Sequence, residues 1–130
     1  MIAVILTSGR LDRLYTGLAL LVSAAAEGEA ARGLVTFEAL GPMLDEQLMA
    51  RALRPADTPA LSPAGRATFA RSLAELRDTA AELPNCRIWA CAAAVETTGT
   101  SRADVEARLD GVLSTPRFLR EVGEARLIAL

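Results

Sequence analysis

The opening 37 residues constrain the fold more than any other part of the chain. Ile2-Ala3-Val4-Ile5-Leu6 is an apolar run without alternation, as a strand buried on both faces requires, and it stops at Thr7-Ser8-Gly9. Leu14, Leu18, Leu21, Val22 and Ala25 then recur at helical spacing between Leu11 and Glu29, with Gly28 as a C-terminal stop. Leu34-Val35-Thr36-Phe37 reads as a second strand. Strand, helix and strand in so short a span form a βαβ unit, which dictates a parallel pair and a right-handed crossover.

The same alternation continues. Gly41-Pro42 opens a shorter amphipathic helix carrying Met43, Leu44, Leu48 and Met49, and three prolines between Arg54 and Pro63 make that stretch a loop. Ser62-Pro63 fits an N-cap followed by proline at the first helical position, and Phe69, Leu73, Leu76, Ala80 and Leu83 form the core stripe of the helix it starts. Arg87 to Cys91 is a third strand, Ala92 to Thr98 a short helical turn stopped by Gly99, and Ser101 caps a helix holding Val105 and Leu109. Gly111-Val112-Leu113 is a fourth strand, Thr115-Pro116 caps a last helix with Leu119 and Val122, and Leu127 to Leu130 is a fifth strand. The expected architecture is one α/β domain over residues 1–130.

Composition removes most catalytic devices. The chain of 130 residues has no histidine, and its fourteen basic residues are all arginine. Catalytic triads, histidine metal ligands, Schiff bases and P-loop lysines are therefore ruled out. No metal site and no cofactor is expected. A net charge of -2 without a run of like charge argues against nucleic acid and anionic membrane as partners. The uncharged stretch from Leu14 to Ala26 is too short to span a bilayer, the amino-terminal residues lack a signal peptide's positive region, and a cytoplasmic location with reduced thiols follows as the expectation. A mean hydropathy of +0.28 is high for a chain of this size, and burial of the excess apolar surface between copies predicts a homo-oligomer.

A thiol is the best remaining nucleophile. The two cysteines bracket Cys86-Arg87-Ile88-Trp89-Ala90-Cys91. In an extended strand their Cα atoms lie about 16 Å apart with side chains on opposite faces, too far for the roughly 7 Å that a disulfide tolerates. Open parallel sheets gather their functional loops at the carboxyl ends of strands. Three such ends matter here: Thr7-Ser8-Gly9-Arg10, Phe37-Glu38-Ala39 and Ala90-Cys91-Ala92. Cys91 stands at one of them, where backbone amides favour a thiolate, and Cys86 stands at the opposite edge. Arg10 is the candidate cation for an anion or thiolate, Thr7, Ser8 and Gly9 the candidate turn around it, and Phe37 and Glu38 the facing wall. The bland alternative is a buried cysteine serving as small apolar filler. Trp89, Met43 and Met49 read as packing residues.

With these residues placed, the chain resembles the DsrE/DsrF-like family, in its peroxiredoxin-like branch, along nearly its whole length. The matching features are Ile2 to Gly9 with Leu11-Asp12, Ala24-Ala25-Ala26-Glu27-Gly28, Thr36-Phe37, Cys86 to Cys91, Gly99, Asp110-Gly111-Val112, Phe118-Leu119 and Ala125. The Ala-Cys closing the third strand is the most specific of them. The resemblance implies a three-layer α/β/α sandwich with a five-stranded parallel sheet, assembly into trimers or hexamers, and sulfur relay through a persulfide on Cys91. It also implies a sulfur donor or acceptor protein of TusA-like or rhodanese-like kind. Glu38-Ala39 replace the Trp-Gly pair of many relatives, and the proline-rich 54–63 stretch is shorter than their insertion. Peroxidase activity is not implied, because no Thr-x-x-Cys motif is present. The expected function is a sulfurtransferase-type carrier loaded at Cys91; the alternative is a non-enzymatic oligomeric module that binds a small ligand or regulates, with Cys91 structural.

Overall fold

A computed structural model describes residues 1–58 and 60–130. Five strands form one all-parallel sheet: β1 (Ile2–Leu6), β2 (Ala31–Val35), β3 (Cys86–Cys91), β4 (Val112–Leu113) and β5 (Arg126–Ala129). Their order across the sheet is β4-β3-β2-β1-β5. Among the described residues seven α-helices connect them: α1 (Leu11–Ala26), α2 (Leu40–Leu44), α3 (Leu48–Ala52), α4 (Pro63–Glu82), α5 (Ala92–Thr98), α6 (Arg102–Arg108) and α7 (Thr115–Val122). The fold is the α/β sandwich that the sequence predicts.

The pleat assigns the residues to faces. Gly33 and Ile88 share a row of the sheet, and a Cβ on Gly33 would lie 3.2 Å from Leu21 of α1 and 3.3 Å from Ile88. Even-numbered β1 and β3 residues with odd-numbered β2 residues therefore face α1, and α4 packs beside α1 on that side. Gly17 of α1 has no room for a side chain: a Cβ there would overlap Leu6 Cδ2. That absence lets the helix sit close on β1. The opposite face carries Trp89, whose ring meets Phe118 of α7 edge-on with centroids 6.2 Å apart. Trp89 is a core residue within the single chain.

Helix ends follow their local chemistry. Ser62, Ser101 and Ser114 each accept an amide hydrogen bond at the start of α4, α6 and α7. Gly99 ends α5 at φ 69°, a left-handed conformation that favours glycine.

Some boundaries differ from the sequence reading. The helix expected from Gly41 through Met49 is two, α2 and α3, broken at Asp45, which leaves Met43 buried and Met49 half exposed. β2 ends at Val35, and Phe37–Ala39 form a single 3-10 turn. The 54–63 stretch contains another such turn, Pro55–Asp57; Pro59 lies outside the described residues. Among the described residues no helix is long and apolar enough to cross a membrane.

Candidate functional site

The register places the strand ends side by side. Leu6 pairs with Val35 and Val35 with Ala90, so the next row holds Thr7, Thr36 and Cys91. Their parity assigns all three to the α7 face. Thr7 donates both its amide, at 2.6 Å, and its hydroxyl, at 2.8 Å, to the carbonyl of Leu130, which ties β1 to the end of β5. Thr36 is buried, with its hydroxyl donating to the Leu6 carbonyl at 3.2 Å. Thr36 belongs to the row by geometry, a place that the sequence run Leu34-Val35-Thr36-Phe37 does not mark.

The loop after β1 and the turn after β2 touch. A Cβ on Gly9 would come within 3.1 Å of the Glu38 carbonyl oxygen, so only glycine permits this approach without displacement. Ser8 Oγ accepts from the Arg10 amide at 3.1 Å and closes a local turn. Phe37 holds φ at +36°, the only non-glycine residue with positive φ among the described residues, and its side chain is 50% exposed. A side chain in that conformation costs of order 1–3 kcal/mol and persists only where surrounding contacts fix it. Here the surroundings are the Gly9–Glu38 contact and the packing of α5 against the 37–39 turn.

Arg10 is engaged locally. Its guanidinium is engaged with Asp12, Nε to Oδ1 at 3.1 Å and Nη2 to Oδ2 at 2.8 Å. Slight burial works to raise the Asp12 carboxyl, but the Arg10 hydrogen bonds and charge outweigh it and hold the group below its usual range. Arg10, Leu11 and Asp12 instead line a hollow of about 230 Å³ with Ala56, Asp57 and Thr58. A larger hollow, about 490 Å³, lies among Asp45, Glu46, Gln47, Ala50, Arg51 and Arg54. Neither contains Cys91.

The two cysteines differ as their places in the sheet require. Both are 4% exposed and both are free thiols. Cys86 begins β3 on the α1 face. Burial pushes its thiol up to about 11, the Asp110 carboxylate adds to the shift, and Arg32 offsets part of it. Cys91 ends β3 on the other face and sits as the residue before α5, in extended conformation.

The Cys86 shift has a measurable consequence. Below the ordinary thiol value of 9.0 the group is neutral in folded and unfolded chains alike; above it the unfolded chain ionises first and binds fewer protons, so stability falls as pH rises to about 11. The loss attributable to Cys86 reaches about 3 kcal/mol. Urea unfolding of wild type and Cys86→Ala across this alkaline range is expected to show a steeper loss for wild type. Parallel pH profiles would contradict the assignment.

No family model matches the chain. No curated protein matches it either.

Proposed function

We propose that the protein is a sulfur carrier of the DsrE/DsrF-like kind, with Cys91 holding a sulfane sulfur. The observation that carries this reading is the position of Cys91: it closes β3 at the carboxyl edge, in one row with Thr7 and Thr36 and behind the strained turn at Phe37. Cys86 stands at the other edge of the sheet, where burial keeps its thiol neutral.

The chemistry is balanced without an external oxidant. The Cys91 thiolate attacks the outer sulfur of a donor persulfide; the donor's sulfur–sulfur bond breaks, its thiolate leaves with the electron pair, and a persulfide forms on Cys91. Transfer to an acceptor thiol runs the same exchange in reverse. A thiol and a docking surface suffice, so the lack of histidine and lysine is no obstacle. In this reading Thr7, Ser8, Gly9, Phe37 and Glu38 shape the approach to the thiol, and Arg10 screens the entering anion from a distance. The partners are donor and acceptor proteins bearing persulfides or thiols, of TusA-like or rhodanese-like kind, and the carrier assembles with itself, as the trimers or hexamers of the resembled family do, in the cytoplasm.

Burial of Cys91 favours a second reading, in which the thiol is structural and the chain is a non-enzymatic oligomeric binding or regulatory module. One experiment separates them. Incubation with a cysteine desulfurase and cysteine, or with a rhodanese and thiosulfate, is expected to add the mass of one sulfur at the Cys91 peptide. Cys91→Ser is expected to gain none, Cys86→Ser to load normally, and Arg10→Ala to load more slowly. A wild-type protein that stays unloaded with every competent donor supports the second reading.

A further inference from the structure

The outer edge of β5 is chemically unfinished. β5 is the last strand on its side of the sheet, paired with β1 alone. The ladder uses alternate residues: Arg126 donates its amide to Met1, Leu130 donates to Ile5 and accepts from Thr7. By the same alternation Leu127 and Ala129 turn both N–H and C=O away from β1, where no strand among the described residues meets them. Their side chains are exposed, Leu127 by half, and Ile128 between them is only partly covered.

Edge strands in stable monomers carry lysine, proline, a bulge or an inward-pointing charge that forbids pairing. None of these stands at 127–129, where the sequence is Leu-Ile-Ala. The nearest charge, Arg126, is occupied by Glu29 through two bonds of 2.8 Å. The opposite edge differs, because β4 is two residues long and partly buried.

We infer that β5 pairs with the β5 of a second copy of this chain, antiparallel, about a two-fold axis normal to the sheet at Ile128. This pattern is self-complementary. Leu127 of one copy lies opposite Ala129 of the other and exchanges both backbone bonds with it, and the second such pair follows by symmetry, giving four hydrogen bonds. Ile128 faces its own copy in the close, non-hydrogen-bonded position, where β-branched side chains pack best. The axis keeps each sheet face on its own side, so Leu127 rests beside Ala129 of the partner on the α7 face and the two Ile128 side chains meet on the α1 face. Two five-stranded sheets become one of ten. A contact of this kind makes a dimer, and it is equally one of the two-fold axes that a hexamer contains.

The pairing is independent of the sulfur reading, since Cys91 lies on β3 with β2 and β1 between it and this edge. Sedimentation of the wild-type protein from low micromolar to millimolar concentration is expected to show a monomer–dimer equilibrium. Ala129→Pro removes one outward donor from each copy and leaves the inward ladder intact, because proline is tolerated on the solvent side of an edge strand. It is expected to raise the dissociation constant by about tenfold or more, with circular dichroism and persulfide loading unchanged. Ile128→Cys, in a chain with Cys86 and Cys91 replaced by Ala, is expected to form an intermolecular disulfide under mild oxidation. A wild-type monomer throughout the range, a dimer indifferent to Ala129→Pro, or an Ile128→Cys chain that does not cross-link would overturn the assignment and leave the edge to another partner's strand or to solvent.

Discussion

Replacing Arg77 by methionine is expected to destabilise the fold by about 3 kcal/mol, although no residue of the candidate site is touched. Arg77 lies on the inner side of α4, 7% exposed, and its Nη1 donates to the carbonyls of Pro42, Met43 and Asp45 at 3.2, 3.3 and 2.5 Å. These carbonyls lie at the end of α2, where the Asp45 amide also reaches the Pro42 carbonyl at 3.3 Å, and the positive charge complements the helix terminus. Burial lowers the guanidinium's affinity for its proton, and the Arg108 charge lowers it further, yet Asp78 and Asp45 pull the other way and arginine stays charged. Methionine fills similar volume and removes the guanidinium from the Met43 and Asp45 carbonyls, while Pro42 keeps only the Asp45 amide. Arg77→Lys supplies a single ammonium and should recover part of the loss. Equilibrium urea unfolding checks both; a methionine variant within about 0.5 kcal/mol of wild type would show that water replaces the guanidinium at no net cost.

Phe118→Ala is expected to cost about 3–5 kcal/mol, the largest effect of any single apolar truncation in the chain. Phe118 is fully buried and is the largest side chain so enclosed. It anchors α7 to the sheet through the edge contact with Trp89, and with Val122 it supplies the buried stripe of that helix. Alanine would open a cavity over β3 and detach the helix that leads into β5. Trp89 is the only tryptophan, so its emission reports the change directly. A red shift together with the lower unfolding midpoint is the expected pair of results. Loss of stability without a change in emission would mean that α7 is held by contacts other than this one.

The parts of the fold that were legible in the sequence are those with a strong local signal. β1 and β3 are apolar runs bounded by turn residues, α1 has an uninterrupted stripe, and α4, α5 and α6 have the serine caps or glycine stop expected of them; α7 is capped by Ser114, one residue before the expected Thr115, and buries Phe118 with Val122 while Leu119 faces out. Where local signal and tertiary packing disagree, packing wins. The core stripe of α4 runs through Ala70, Leu73, Arg77 and Ala80, so an arginine occupies a core position that apolar counting skips. Its spacing, four after Leu73 and three before Ala80, was the available clue. Val35-Thr36-Phe37 reads as continuous strand by propensity, but the contact of Gly9 with Glu38 turns the chain at Phe37 against that preference. At the candidate site the row of Cys91 follows from strand order, and Thr36 joins it only once the register is known. The engagement of Arg10 with Asp12, two residues on, was within reach of the sequence, because a bidentate carboxylate so close competes with any distant anion.

The hydrogen bond between Thr7 and Leu130 spans 123 residues, and it closes a gap that stays open while everything between β1 and β5 is made. Of these five strands β1 is made before the others, β2, β3 and β4 are added successively on one side of it, and the place on its other side waits for β5. Until then one edge of β1 offers its amides and carbonyls to any extended peptide nearby. A nascent chain paused between β4 and β5 is thus the species most exposed to mispairing, and slow passage through residues 114–125 should lower soluble yield more than slow passage through α4.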